Sequence, residues 1–90
     1  MTLGDKWLGL YISNADKTLQ YKICGSKSVA TRWVNEKFNA DLGNGYPICN
    51  YVCKVRDLGT YIRNNSVWNG PKTNLIVQEC SKLLDELKRM

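Results

Sequence analysis

The sequence predicts an α+β domain: a β-hairpin, a helix, one or two further strands and a C-terminal helix, with the helices packed on a small, mostly antiparallel sheet. Three observations carry that prediction. Residues 6–24 alternate apolar and polar positions about a polar turn. Apolar residues then recur at helical spacing from Ala30 to Phe38, and again from Ile76 to Leu87. Between these two stripes lies a run rich in β-formers, Ile48 to Arg56.

The first strand is expected over Lys6 to Ser13. Leu8, Leu10 and Ile12 point to one side of it, Trp7, Gly9 and Tyr11 to the other. Asn14-Ala15-Asp16-Lys17 supplies turn chemistry, and Thr18 to Cys24 forms the second strand. A loop of this length pairs Ser13 with Thr18, which sets Ile12 opposite Leu19, Leu10 opposite Tyr21 and Leu8 opposite Ile23. Each apolar residue then meets another across the ladder. The opposite face carries Trp7, Tyr11, Gln20, Lys22 and Cys24. A small α+β domain commonly covers one face of its sheet, so one of these faces is expected to stay open.

Ser26 or Ser28 can cap a helix running to Asn39 or Leu42. Ala30, Trp33, Val34 and Phe38 form its buried stripe, with Arg32, Asn35, Glu36 and Asn39 outside it and Gly43 as its stop. Ile48 to Arg56 reads as a third strand and Leu58 to Arg63 as a short fourth one. Asn64 to Lys72 reads as loop. Thr73 then caps the last helix, whose buried stripe is Ile76, Cys80, Leu83, Leu84 and Leu87.

Ninety residues make one domain. The sequence contains no histidine, which excludes Ser-His-Asp and Cys-His catalysis and every zinc site with an imidazole ligand. The net charge is +5. Residues 74–90 balance Lys82, Lys88 and Arg89 against Glu79, Asp85 and Glu86, so the excess lies in residues 1–73 and suits a polyanionic partner. No apolar run approaches the ~18 residues of a membrane span, and the N-terminal residues lack the basic-then-apolar order of a signal peptide. The expected compartment is therefore the cytoplasm (of a host cell, if the source is viral), where cysteines stay reduced.

Cys24, Cys49, Cys53 and Cys80 invite a metal reading. On a strand, however, residues four apart lie roughly 13 Å apart, too far for Cys49 and Cys53 to ligate one zinc or to bridge. The four are expected to be small apolar core residues, and no cofactor is expected.

Two regions are candidates for binding. Trp7, Tyr11 and Lys22 share one hairpin face, where rings could stack on bases while the lysine meets phosphate. The stretch from Lys54 to Lys72 holds Lys54, Arg56, Arg63 and Lys72 with Trp68. A Trp in a polar loop suits a protein partner as well as a nucleic acid. The candidate binding residues are thus Trp7, Tyr11, Lys22, Arg56, Arg63, Trp68 and Lys72.

Gly9-Leu10-Tyr11-Ile12-Ser13-Asn14, then Tyr21-Lys22-Ile23-Cys24-Gly25-Ser26-Lys27 and Thr31-Arg32-Trp33, resemble the start of the GIY-YIG nuclease domain. The second motif is degenerate, with Ile23 in the place of its tyrosine. The resemblance implies that Tyr11 lies near an attacking water, that Arg32 binds the scissile phosphate and that Glu79 holds Mg²⁺. A hard cation suits a carboxylate ligand, and phosphodiester cleavage needs positive charge in its transition state.

Three functions follow as expectations. The first is a non-enzymatic module that binds nucleic acid or a nucleic-acid-processing protein. The second is a phage or mobile-element inhibitor that binds a host or defence enzyme by protein–protein contact. The third is a Mg²⁺-dependent nuclease. The absence of a catalytic constellation favours a binder over an enzyme.

Overall fold

The computed structural model describes residues 3–68 and 70–89. Strand β1 (Trp7–Ile12) lies between β2 (Leu19–Cys24) and β3 (Cys49–Lys54) in a three-stranded sheet of order β2-β1-β3, antiparallel on both sides. The hairpin adopts the register that apolar pairing demands: Ile12 faces Leu19, Leu10 faces Tyr21 and Leu8 faces Ile23. Its turn closes with the Lys17 amide donating to the Ser13 carbonyl at 2.8 Å, and Lys17 takes a positive φ of 60°.

Helices cover both faces of this sheet, against the expectation that one stays open. Helix α1 (Lys27–Ala40) lies across the side of Trp7, Gly9 and Tyr11. Its approach is so close that a Cβ on Gly9 would stand 2.9 Å from Trp33 Cε3 and 3.3 Å from the Ala30 carbonyl oxygen. Ser26 caps α1, its hydroxyl accepting the Val29 amide at 3.3 Å. The helix ends at Ala40 with Asp41 as its C-cap. The positive φ after it belongs to Gly45 rather than to Gly43, because a 3-10 turn, Leu42–Asn44, intervenes.

Helices α2 (Leu58–Ser66) and α3 (Pro71–Lys88) pack on each other and on the opposite side. There Leu8, Leu10, Ile12 and Cys49 form one core with Val55, Leu58, Ile76, Cys80 and Leu83.

Three expectations in this half are corrected. Leu58 to Arg63 is helix, not a fourth strand. Leu58, Tyr61 and Ile62 stand at i, i+3 and i+4, so only a helix turns all three toward the core. The stretch 64–72 is not all loop either, since α2 continues to Ser66 and α3 starts at Pro71, while Asn69 lies outside the described residues. Gly70, not Thr73, is the N-cap of α3. Pro71 occupies the first turn, where a missing amide costs nothing, and the Thr73 hydroxyl accepts the Gly70 amide at 3.0 Å from inside the helix. Among the described residues no helix is long and apolar enough to cross a membrane.

Candidate functional site

The end of the sheet where β1 starts collects cations from four separate segments. Trp7, half-buried, pairs with Cys24 on one side and Lys54 on the other. The register places Lys54 on the Trp7 face, and its Nζ lies 5.6 Å from the centre of the indole. Lys27 comes from α1. Because Ser26 starts the helix two residues after β2 ends, the first helical residue falls beside the same ring, with Nζ 5.8 Å from its centre. An ammonium is drawn to the negative face of an indole. Neither lysine has a carboxylate at ion-pair distance among the described residues.

Lys6, Lys22 and Arg56 adjoin these residues along the chain or across the ladder. Lys6 precedes Trp7, and its carbonyl accepts the Val55 amide at 2.9 Å, which ties the start of β1 to the 3-10 turn Val55–Asp57. Lys22 is exposed and shares the Trp7 face of the hairpin. Arg56 reaches Asp5 at 3.6 Å, but both side chains are mostly exposed, so the pair contributes little. Asp5, paired with Arg56, and Asp57 are carboxylates of this end among the described residues.

The other end of β1 is built from a carboxylate and neutral donors. Asp41, just past α1, accepts from the Tyr11 hydroxyl at 2.6 Å, from Ser13 Oγ at 3.0 Å and from Asn44 Nδ2 at 2.5 Å. These bonds hold the Asp41 carboxyl below its ordinary range, the Tyr11 bond most of all. The Tyr11 hydroxyl is pushed up to about 12, first by burial and then by its bond to Asp41. With its donors engaged on one carboxylate, this network locks α1 to the strand.

No family model, curated protein or solved structure matches the chain.

The structure therefore divides the residues singled out from sequence. Trp7, Lys22 and Arg56 all lie toward the end of the sheet where β1 starts. Tyr11 does not join them as a stacking ring: it is 2% exposed, beneath α1, and this corrects the expectation of an open aromatic face. Arg63 is exposed on α2. Trp68 and Lys72 line a shallow depression at the turn between α2 and α3, together with Pro71. There Trp68 is 71% exposed. The sequence reading missed Lys27 altogether and grouped Lys54 with the later loop. The cap at Ser26 pointed to Lys27; nothing local pointed to the pairing of Lys54 with Trp7.

The three residues that the nuclease resemblance implies lie in three different depressions. Tyr11 lines one with Asp41 and Asn44, Arg32 one on the outer side of α1, and Glu79 one between β2 and α3. Glu79 accepts the Leu19 amide at 3.2 Å and Lys82 Nζ at 3.0 Å, fastening α3 to the edge of the sheet.

The four thiols are free and buried. Cys49 contacts the Tyr61 hydroxyl at 3.2 Å, and Tyr61 stacks on Tyr51 with ring centres 4.1 Å apart. Burial pushes the Cys53 thiol up to about 11 and that of Cys80 to about 12, and raises Cys49 as well. Such thiols make poor nucleophiles. Among the described residues no group of three or more His, Cys, Asp or Glu side chains is placed to hold a metal ion.

Proposed function

We propose that the protein is a non-enzymatic nucleic-acid-binding module that engages its ligand through the basic end of the sheet. The observation that carries this reading is the pair of lysines, Lys27 and Lys54, held on one indole with no carboxylate partner. Like charges brought together without a counter-ion repel one another, and a polyanion relieves that repulsion. Lys22, on the same face of the hairpin, adds to the positive charge of this surface. Cleavage forms no part of this reading, because Tyr11, Arg32 and Glu79 do not converge on a common space.

Fluorescence anisotropy with labelled single-stranded DNA, duplex DNA and RNA tests the reading. Affinity should fall linearly in log–log terms with salt between about 50 and 200 mM. Lys22→Ala should weaken binding and lower the slope by about 1. Lys82→Ala, which removes a cation from the far side of the sheet, should leave the slope alone. Absence of binding at about 50 mM salt, or affinity indifferent to salt, would overturn the reading.

A second reading is supported by a different surface. Val67 and Trp68 are both largely exposed next to Pro71, and an exposed Trp suits a protein partner. On this reading the chain is an inhibitor that docks on an intracellular enzyme, as one from a phage or mobile element would. Binding would then be lost in Trp68→Ala and would vary little with salt.

A further inference from the structure

Trp7 was expected to stack on a base, but its surroundings assign it other work. A stacking platform for single strands uses successive aromatic rings, and the neighbouring ring on this face, Tyr11, is buried under α1. Tyr21, the other aromatic of the hairpin, pairs with Leu10 and so belongs to the opposite face of the sheet. Trp33 of α1, also half-buried, sits against Gly9 with Lys37 Nζ 5.5 Å from its own ring centre. Of the hairpin's rings on this face that leaves Trp7, half-buried, with two ammonium groups on it.

We propose that Trp7 is a positioning residue whose indole gathers Lys27 and Lys54 into one site for the backbone phosphates of a nucleic acid, which the protein holds without reading its bases. The inference rests on the nucleic-acid reading above and adds the part of the ligand that is recognised. Lys27 and Lys54 come from a helix and a strand far apart in sequence, and the ring is their shared contact. Each Nζ lies within 5.8 Å of the same point. The two are therefore at most about 11 Å apart, close enough to meet neighbouring phosphates of one strand, whose charges repeat every ~3.4 Å of helix axis. A base arriving on the ring would displace the ammonium groups. A phosphate arriving beside the ring adds to them.

A charge-neutral substitution tests this directly. Trp7→Leu removes no charge, so a merely structural role would leave the salt dependence of binding unaltered. If the indole positions both lysines, this variant loses two phosphate contacts and its salt slope on duplex DNA falls by about 1.8. Between about 50 and 200 mM salt, the wild type should then lose roughly tenfold more affinity than Trp7→Leu. Trp7→Phe, which keeps a π face, should restore most of the slope. Lys27→Gln combined with Lys54→Gln should reproduce the slope of Trp7→Leu and serves in its place if that variant fails to fold. An abasic deoxyribose-phosphate strand should bind within a few fold of a base-bearing strand of equal length.

Two results would overturn the inference while leaving the nucleic-acid reading intact. One is an unchanged slope in Trp7→Leu or in the double glutamine variant. The other is failure of the abasic strand to bind wild-type protein that does bind the base-bearing one. Failure of the wild type to bind any of these strands at about 50 mM salt would overturn both.

Discussion

At the start of β1 the indole of Trp7 faces two lysines; four residues on, along the same side of the same strand, the phenol of Tyr11 faces Asp41. Both rings lie against α1, and both draw in residues from its ends. At the Tyr11 end a carboxylate collects hydrogen bonds from Tyr11, Ser13 and Asn44, and it has little capacity left for a ligand. At the Trp7 end Lys27 and Lys54 meet a quadrupole, a weak partner that leaves their charge largely unspent. The comparison separates a polar cluster that fastens a fold from one that is poised for a partner. The deciding quantity is residual valence, not the number of polar groups.

The largest expected effect comes from the residue midway between the two ends. Gly9 lies under α1, and its missing Cβ makes room for Trp33, Val34 and the Ala30 carbonyl. Gly9→Val would force the helix off the sheet and disturb both ends at once. Overpacking a tight site costs about 1–3 kcal/mol and sometimes more, and here backbone as well as side chain obstructs. Urea unfolding should show a loss of about 3 kcal/mol or more, and any folded fraction should bind nucleic acid weakly, since Lys27 moves with α1. A Gly9→Val protein with unchanged midpoint and binding would break the comparison at its root.

An intermediate effect isolates the Tyr11 end. Tyr11→Phe removes the bond to the Asp41 carboxylate and should cost about 1.5–3 kcal/mol, with no change in nucleic-acid affinity at neutral pH. Alkali sharpens the point. Burial and the bond to Asp41 push the Tyr11 hydroxyl up to about 12 in the folded protein, against about 10 when unfolded. Its proton is held more tightly in the folded state, so its stabilisation is complete below about pH 10 and is lost as pH rises through the folded value. Cys53 and Cys80, also raised, contribute a fall that starts lower, from the unfolded thiol range. Denaturation midpoints followed from pH 8 to 12 should therefore decline less steeply at the top of the range in Tyr11→Phe. An identical decline would show that the phenol carries none of it.

These contrasts also explain what the sequence could disclose. The hairpin register was legible because alternation and turn length are local, and each apolar residue had one consistent partner. Helix α1 was legible through the Ser26 cap and its stripe. The misread segment, Leu58 to Ser66, is short and begins in the wake of a strand, and Leu58-Gly59-Thr60-Tyr61-Ile62 has a β-like composition that only helical spacing contradicts. The site was half legible. Trp7, Lys22 and Arg56 were named from charge and aromaticity, but their assembly with Lys27 and Lys54 depends on which strand pairs with the far side of β1, a long-range fact with no local signature. Tyr11 was misplaced for a related reason: period two shows which residues share a face, not whether a helix lies on it.

The smallest expected effect concerns Glu79, on the side of the sheet away from both ends of this comparison. Its carboxylate takes the Leu19 amide and Lys82, and these partners, with Lys82 foremost, hold it below the ordinary carboxylate range. Its stabilisation is present above the unfolded carboxylate range and is lost as pH falls through the lowered folded value. Glu79→Gln keeps an acceptor for the Leu19 amide and gives up only the charge, so the cost should be below about 1 kcal/mol near neutral pH. It should vanish in acid, where the wild-type carboxylate is itself protonated. Nucleic-acid binding should be untouched, as Lys82 and Glu79 line a depression remote from Trp7 in the sheet. The same variant probes the nuclease resemblance: duplex DNA incubated with Mg²⁺ should come through wild-type and Glu79→Gln protein alike. Cleavage by the wild type that disappears in a folded Glu79→Gln protein would assign this carboxylate a metal after all, and would move the functional centre from the basic end of the sheet to its α3 side.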